Sequence, residues 1–137
     1  MRIIIIGGVA AGAKAAAKSK RLLPDADVHI YTKDTFVSYS SCGLPYYVAG
    51  DFEDWHKLIV RTKEEFEKSG INIHTEHQVT KILPADKKIL VKDLKLGVCN
   101  FVEYDKLIIA TGAAPFIPDI KNTGLKNIFT LRTLEDG

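Results

Sequence analysis

The chain has 137 residues, of which 46% are hydrophobic and 26% charged, with a net charge of +2; this is the size and composition of one globular domain. So small a charge does not indicate a nucleic-acid partner, and the short apolar run between Arg2 and Gly7 is too brief for a membrane span or the core of a signal peptide. The two cysteines, Cys42 and Cys99, match neither a zinc spacing nor a disulfide-dense secreted framework, so a soluble protein in the reducing cytoplasm is expected, without membrane or nucleic-acid partners.

Arg2 to Ile6 is a β-branched apolar run that stops at Gly7-Gly8, the pattern of a strand buried on both faces of a parallel sheet. Alanine-rich sequence from Ala13 to about Leu22 predicts a helix whose small side chains let it lie close to that strand. Leu23-Pro24-Asp25 ends the helix, and Val28 to Tyr31 predicts a second strand, completing a βαβ unit. Pro45 suits the first turn of a helix beginning after Cys42-Gly43. Asp51 to Val60 carries Trp55 and apolar residues but no period that assigns it. Thr62-Lys63-Glu64-Glu65 is a capping-box pattern opening a short helix closed by Gly70, and Ile71 to Thr75 alternates as a further strand of the parallel sheet. Val79 to Leu83, Lys88 to Asp93 and Asn100 to Tyr104 predict an antiparallel three-stranded meander. Leu107 to Ala110 returns as another buried strand, followed by loop-rich sequence. The fold class is therefore α/β: a Rossmann-like parallel sheet with an antiparallel three-stranded meander.

Three stretches carry chemistry. Gly7-Gly8-Val9-Ala10-Ala11-Gly12 stands between a strand and a helix, where a dinucleotide-binding glycine loop sits. Val9 takes the place of the middle glycine, which alters the approach of a pyrophosphate, while the helix N-terminus still offers it N–H donors. The acidic residue that should follow about 20 residues later is replaced by Thr32 and Lys33. A hydroxyl or backbone group can still meet a ribose there, and a hydroxyl beside a lysine also admits the 2′-phosphate of NADP. Cys42 lies between the serine cluster Ser38-Tyr39-Ser40-Ser41 and the expected helix start, a place that favours the thiolate; the alternative is a small buried cysteine. Lys14, Lys18 and Arg21 share one helical face, which is either a solvated basic face or an anion-binding one. The histidines His29, His56, His74 and His77 show no ligand spacing, and no metal site is expected.

In that order, Gly7 to Gly12, Ser38-Tyr39-Ser40-Ser41-Cys42-Gly43-Leu44-Pro45-Tyr46-Tyr47 and Tyr104 to Pro115 resemble the flavin-dependent pyridine nucleotide-disulfide oxidoreductases. The single cysteine before Gly-Leu-Pro-Tyr is similar to their coenzyme A-disulfide reductase and NADH oxidase branch. The resemblance implies that Gly7, Gly8, Ala10, Ala11 and Gly12 hold the FAD pyrophosphate, that Thr32 and Lys33 lie at the adenosine ribose, and that the backbone of Val79 meets the adenine. Ser41, Ala110, Thr111 and Gly112 would also line the cofactor. Cys42 would be the redox centre, working alone because Tyr47 stands where the dithiol branch has its second cysteine. It would cycle through a mixed disulfide or a sulfenic acid. Lys18, Arg21 and Ser38 match positions that approach coenzyme A in such relatives. Ala10 stands where peroxidases and many oxidases of the family carry a histidine, which leans toward a thiol or persulfide substrate.

The resemblance further implies that residues 1–137 form the first segment of the FAD-binding domain. The NADH- or NADPH-binding and dimerisation domains of a homodimeric enzyme would then lie outside this sequence, and the segment alone would be inactive. An NADH oxidase or peroxidase of the same family, a non-catalytic NADP-binding or other nucleotide-binding module, and a thiol sensor built on Cys42 remain the alternatives.

Overall fold

The computed structural model describes all residues of the chain except 122 and 123. Its frame is a parallel sheet in the order β3-β2-β1-β7, with β1 at Arg2–Ile6, β2 at Asp27–Tyr31, β3 at Ile71–His74 and β7 at Lys106–Ile109. Helix α1 (Ala11–Leu22) starts slightly earlier than its alanine run suggests and carries Lys20 and Arg21 in its last turn, where cations favour the dipole. Helix α2 (Leu44–Val48) is short and has Pro45 in its first turn. Helix α3 (Lys63–Lys68) opens with the expected capping box: Thr62 and Glu65 exchange side-chain and backbone hydrogen bonds. The meander is a separate sheet of β4 (His77–Leu83), β5 (Lys88–Asp93) and β6 (Cys99–Glu103), in that order.

Strand alternation explains the layering. In β1, Ile3 and Ile5 face the helices and join Ala13, Ala16 and Phe66 in one core. Ile4 and Ile6 face the other way and meet Ile89 and Val91 of β5 in a second core. Because successive side chains point to opposite faces, a run of four isoleucines is the sequence needed to glue both layers to one strand. The expectation of a two-sided buried strand at β7 holds less well. Leu107 and Ile108 are partly buried, but Ile109 is 62% exposed, because among the described residues β7 pairs only with β1. Among these residues no helix is long and apolar enough to cross a membrane, and no group of three or more His, Cys, Asp or Glu is placed to hold a metal ion.

A stack of rings occupies the polar rim between the sheets. Tyr31 and His74 lie face to face with centroids 4.3 Å apart, and His29 stacks beyond His74. His29 Nε2 bonds Asp27 Oδ1 at 2.8 Å and His29 Nδ1 faces His74 Nε2 at 3.0 Å. With His29 Nε2–H donating to Asp27, its Nδ1 is free to accept from the Nε2–H of His74. Burial, followed by repulsion from His29 and His77, pushes the His74 pKa down to about 4 from 6.5. Between those values the unfolded chain takes up a proton that the folded chain refuses, so stability is full above pH 6.5 and declines as pH falls toward 4. Thermal melts in that window should reveal a loss on the order of 1–2 kcal/mol, allowing for the partial exposure of His74. His74→Phe, which keeps the stack without a titrating proton, should remove most of it; an unchanged pH profile in that variant would contradict the assignment.

Candidate functional site

The end of β1, the start of α1 and the end of β7 converge on the glycine loop. Gly7 adopts φ +103°, and a side chain there would drive into the Ala110 carbonyl; one at Gly12 would drive into the carbonyl of Gly7. Glycine at both positions lets the helix, the loop and the β7 end lie against one another. The twelve-residue helix α1 has neither a side-chain cap nor an acidic residue in its first turn. Its N–H donors and positive dipole end are thus left for an anion.

This loop lines a cleft of about 680 Å³ together with Ala110, Thr111 and Gly112 beside it, Lys33 and Asp34 just after β2, and Tyr39 and Ser41 of the cysteine segment. Most of the cofactor residues expected from sequence therefore come together: Gly7, Gly8, Ala10, Ala11, Lys33, Ser41, Ala110, Thr111 and Gly112 all line it. Gly12 is buried beneath them in the first turn of α1.

Two expected residues lie elsewhere. Thr32 is 4% exposed; its backbone bonds His74 and His77, and its hydroxyl lies 3.3 Å from the Asp34 carboxylate. Thr32 thus orients Asp34, which borders the cleft, instead of bordering it itself. Val79 sits in β4 and packs, partly buried, against the core between the sheets. The sequence reading did not single out Arg132 and Asp136, which close one side of the cleft. Arg132 Nε donates to the Ala113 carbonyl at 2.9 Å, and the Asp136 carboxylate accepts from the backbone N–H groups of Arg132 and Thr133. Those hydrogen bonds, led by that from Thr133, hold the Asp136 pKa below its usual value. The Thr133-x-x-Asp136 spacing was the available signal, a capping box around a single 3-10 turn.

Cys42 is exposed in a 3-10 turn, Ser41–Gly43, that runs into α2, so it is no buried structural thiol. A small third core of Tyr39, Leu44, Leu58 and Leu134 anchors this segment. The unassigned stretch Asp51 to Val60 supplies its brace. Ser40 N donates to Leu58 O and Val60 N to Ser38 O, each at 2.8 Å, and Tyr39 bridges to Ile59. Ser38 takes φ 49°, costly for a residue with a Cβ, while its N–H donates to Gly8 O at 2.9 Å. The glycine loop and the cysteine segment are thereby tied directly. Tyr47 packs against Phe52 in the third core, and the other cysteine, Cys99, is exposed at the start of β6.

Cys42 opens into a second groove of about 520 Å³ bordered by Lys14 and Ser38. Val9, Ala10, Tyr39 and Ser41 border both this groove and the glycine-loop cleft, so the two adjoin. Arg21 borders an adjoining groove with Lys20. Lys18 is exposed and borders neither. The ensemble combines a large cleft at the glycine loop with an exposed thiol in the groove that adjoins it.

Among known proteins, the chain is 37% identical to the NADH oxidase of Methanocaldococcus jannaschii over 138 aligned positions, covering 100% of this chain and 31% of that protein. It is 33% identical to the coenzyme A disulfide reductase of Staphylococcus epidermidis, covering 98% of this chain and 30% of that one. Its fold matches the solved NAD-dependent persulfide reductase from A. fulgidus with a TM-score of 0.91 at 35% identity, covering 99% of this chain and 25% of that chain. The chain thus spans less than a third of the length of these relatives. The sequence from residue 1 to 137 matches the family model for pyridine nucleotide-disulphide oxidoreductases, and the chain belongs to that family.

Proposed function

We propose that this chain is the FAD-binding segment of an NAD(P)H-dependent flavoprotein disulfide reductase that acts on coenzyme A disulfide or a related persulfide through Cys42 alone. The observation that carries this reading is the shared border: Ser41 borders the glycine-loop cleft, and its neighbour Cys42 borders the groove that adjoins it. The cleft suits FAD, since its volume falls within the range of ligand pockets, α1 leaves its N-terminal donors uncapped, and Lys33 and Arg132 stand at its border. The pyrophosphate would lie on the loop from Gly7 to Gly12, with Lys33 and Asp34 at the ribose.

Cys42 would attack the substrate disulfide as a thiolate, forming a mixed disulfide and releasing one thiolate that leaves with a proton from solvent. Held on the loop from Gly7 to Gly12, FAD would supply two electrons drawn from NAD(P)H. Cys42 would then return to the thiolate as the S–S bond of the mixed disulfide breaks, and the second thiolate would leave with a proton from solvent. Ser38, clamped between Gly8 and Val60, would hold the cysteine segment at a fixed depth beside the cleft. Lys14 on the groove, with Arg21 in the adjoining one, supplies positive charge to a phosphorylated thiol.

A second reading, an NADH oxidase, is favoured by the identity to the M. jannaschii protein of that name. Oxygen consumption with NADH in the absence of any disulfide separates the two. In the full-length protein, Cys42→Ser should lower NAD(P)H-dependent reduction of coenzyme A disulfide by roughly a thousandfold or more, with flavin absorbance retained. Disulfide reduction surviving that change would refute the role of Cys42. Arg132→Met should weaken flavin retention by about tenfold through loss of a charged donor and of the bond to Ala113. Titration of the apoprotein with FAD measures this, and unaltered affinity would remove Arg132 from the site.

A further inference from the structure

The segment 130–136 has two faces. Thr130, Arg132, Thr133 and Asp136 line the glycine-loop cleft, while Leu134, set among them, is 6% exposed and packs with Tyr39, Leu44 and Leu58. Turn geometry explains the split. Leu134–Asp136 is a 3-10 turn with Thr133 as its N-cap, and three residues per turn bring Thr133 and Asp136 to one side and send Leu134 to another. Tyr39 and Leu44 bracket Cys42 in sequence, so Leu134 rests on the residues that hold the cysteine turn.

The segment is moored like a strap. Arg132 Nε donates to Ala113 O at 2.9 Å beyond β7, and Glu135 Oε1 accepts from Thr35 N at 3.3 Å beyond β2. It thus bridges the chain that follows β7 and the chain that follows β2, strands that flank β1 in the sheet. Burial, reinforced by the charges of Asp34 and Glu135, pushes the Tyr39 phenol pKa up, with Arg132 and the Leu134 backbone acting against it. The phenol therefore stands among the polar groups of the strap. One other tie joins the cysteine segment to the glycine loop, the bond from Ser38 N–H to Gly8 O. It involves no residue of the strap.

We propose that Leu134 is a positioning residue for Cys42, through which a group filling the glycine-loop cleft fixes the cysteine turn. A ligand that meets Arg132, Thr133 or Asp136 holds the strap down. Leu134 then stays seated against Tyr39 and Leu44, and the turn that carries Cys42 opens less often. The coupling draws only on the preference of the ligand for the seated strap. This role rests on the reading above, in which FAD occupies the cleft and Cys42 reacts. Leu134 acts through its neighbours and takes no part in bond exchange.

Hydrogen exchange of the full-length protein, measured by mass spectrometry at saturating FAD and after FAD removal, tests this. The amides of Ser40 and Gly43, bonded to Leu58 O and Ser40 O, report opening of the cysteine turn, and those of β5 in the separate sheet report any global change. In the parent, FAD should slow exchange across residues 38–48 by about tenfold, a typical coupling between sites. In Leu134→Ala, with FAD retained by absorbance, the rates with and without FAD should agree within a factor of about two. Leu134→Met, which conserves volume, should restore the difference. An unchanged ratio of the two rates in Leu134→Ala would overturn the proposal, because Leu134 would then be merely structural and the Ser38–Gly8 bond would carry the protection. So would the absence of any FAD effect on residues 38–48 in the parent. Should Leu134→Ala fail to fold, Leu134→Val makes the same comparison with less volume removed. A parent that binds no FAD would sink the reading of the cleft, and this role with it. Disulfide reduction that survived Cys42→Ser would remove the reaction Leu134 serves without altering these rates, so the two failures are told apart.

Discussion

The arrangement depends on the contact of three backbones at one point, Gly7 against Ala110 and Gly12 against Gly7. Neither approach tolerates a Cβ. If either were held apart, α1 would lift from β1, the first turn of the helix would no longer face the cleft, and the segment from Ala110 to Gly112 would lose its place beside the loop. The adhesive that makes so tight a junction stable is the two-sided burial of β1. At about 25 cal/mol for each Å² of apolar surface removed from water, four isoleucines near full burial provide a large local driving force. Two directions of packing are served by one strand.

The cysteine segment is organised differently. It rests on no regular sheet, only on a small apolar cluster and a set of backbone hydrogen bonds from the stretch that precedes α3. The strain at Ser38 is the visible cost of making the chain turn there, and the hydrogen bonds to Gly8, Val60 and Arg61 hold it. An exposed thiol is thus mounted on a platform fixed at both ends, to the glycine loop and to the edge of the basic groove. Positional precision at the sulfur comes from that bracing and not from burial of the sulfur itself.

Much of this was legible in the residues. Strands β1 and β2, the capping box of α3 and the three meander strands follow from period, β-branching and turn chemistry, which act over a few neighbouring residues. What escaped needed tertiary information. Thr32 stands where a ribose contact is expected, yet its hydroxyl turns inward because the chain ends of β3 and β4 bond its backbone. Asp34 and Arg132 reach the cleft from opposite ends of the sequence, and no local pattern announces that meeting. The stretch containing Trp55 lacked a period because its job is to brace the cysteine segment and bury a few apolar side chains, which a 3-10 turn capped by Asp54 performs. At β7 the apolar run was read correctly as a strand, while its degree of burial depends on neighbours that a strand's own letters do not specify.

The pairing of β1 with β7, which sets Ile3 beside Lys106 and Ile6 beside Ile109, has a temporal side. The strands come from opposite ends of the folded body, and every other element of the two sheets lies between them in sequence. During synthesis the βαβ unit and the meander can each collapse on local contacts. The glycine loop nevertheless lacks its neighbours Ala110 to Gly112 until β7 emerges and closes the longest loop in the sheet. Within these residues the glycine-loop cleft is accordingly completed late, and the thiol segment, whose core includes Leu134, is finished no earlier than the residues Arg132 to Asp136 that border that cleft.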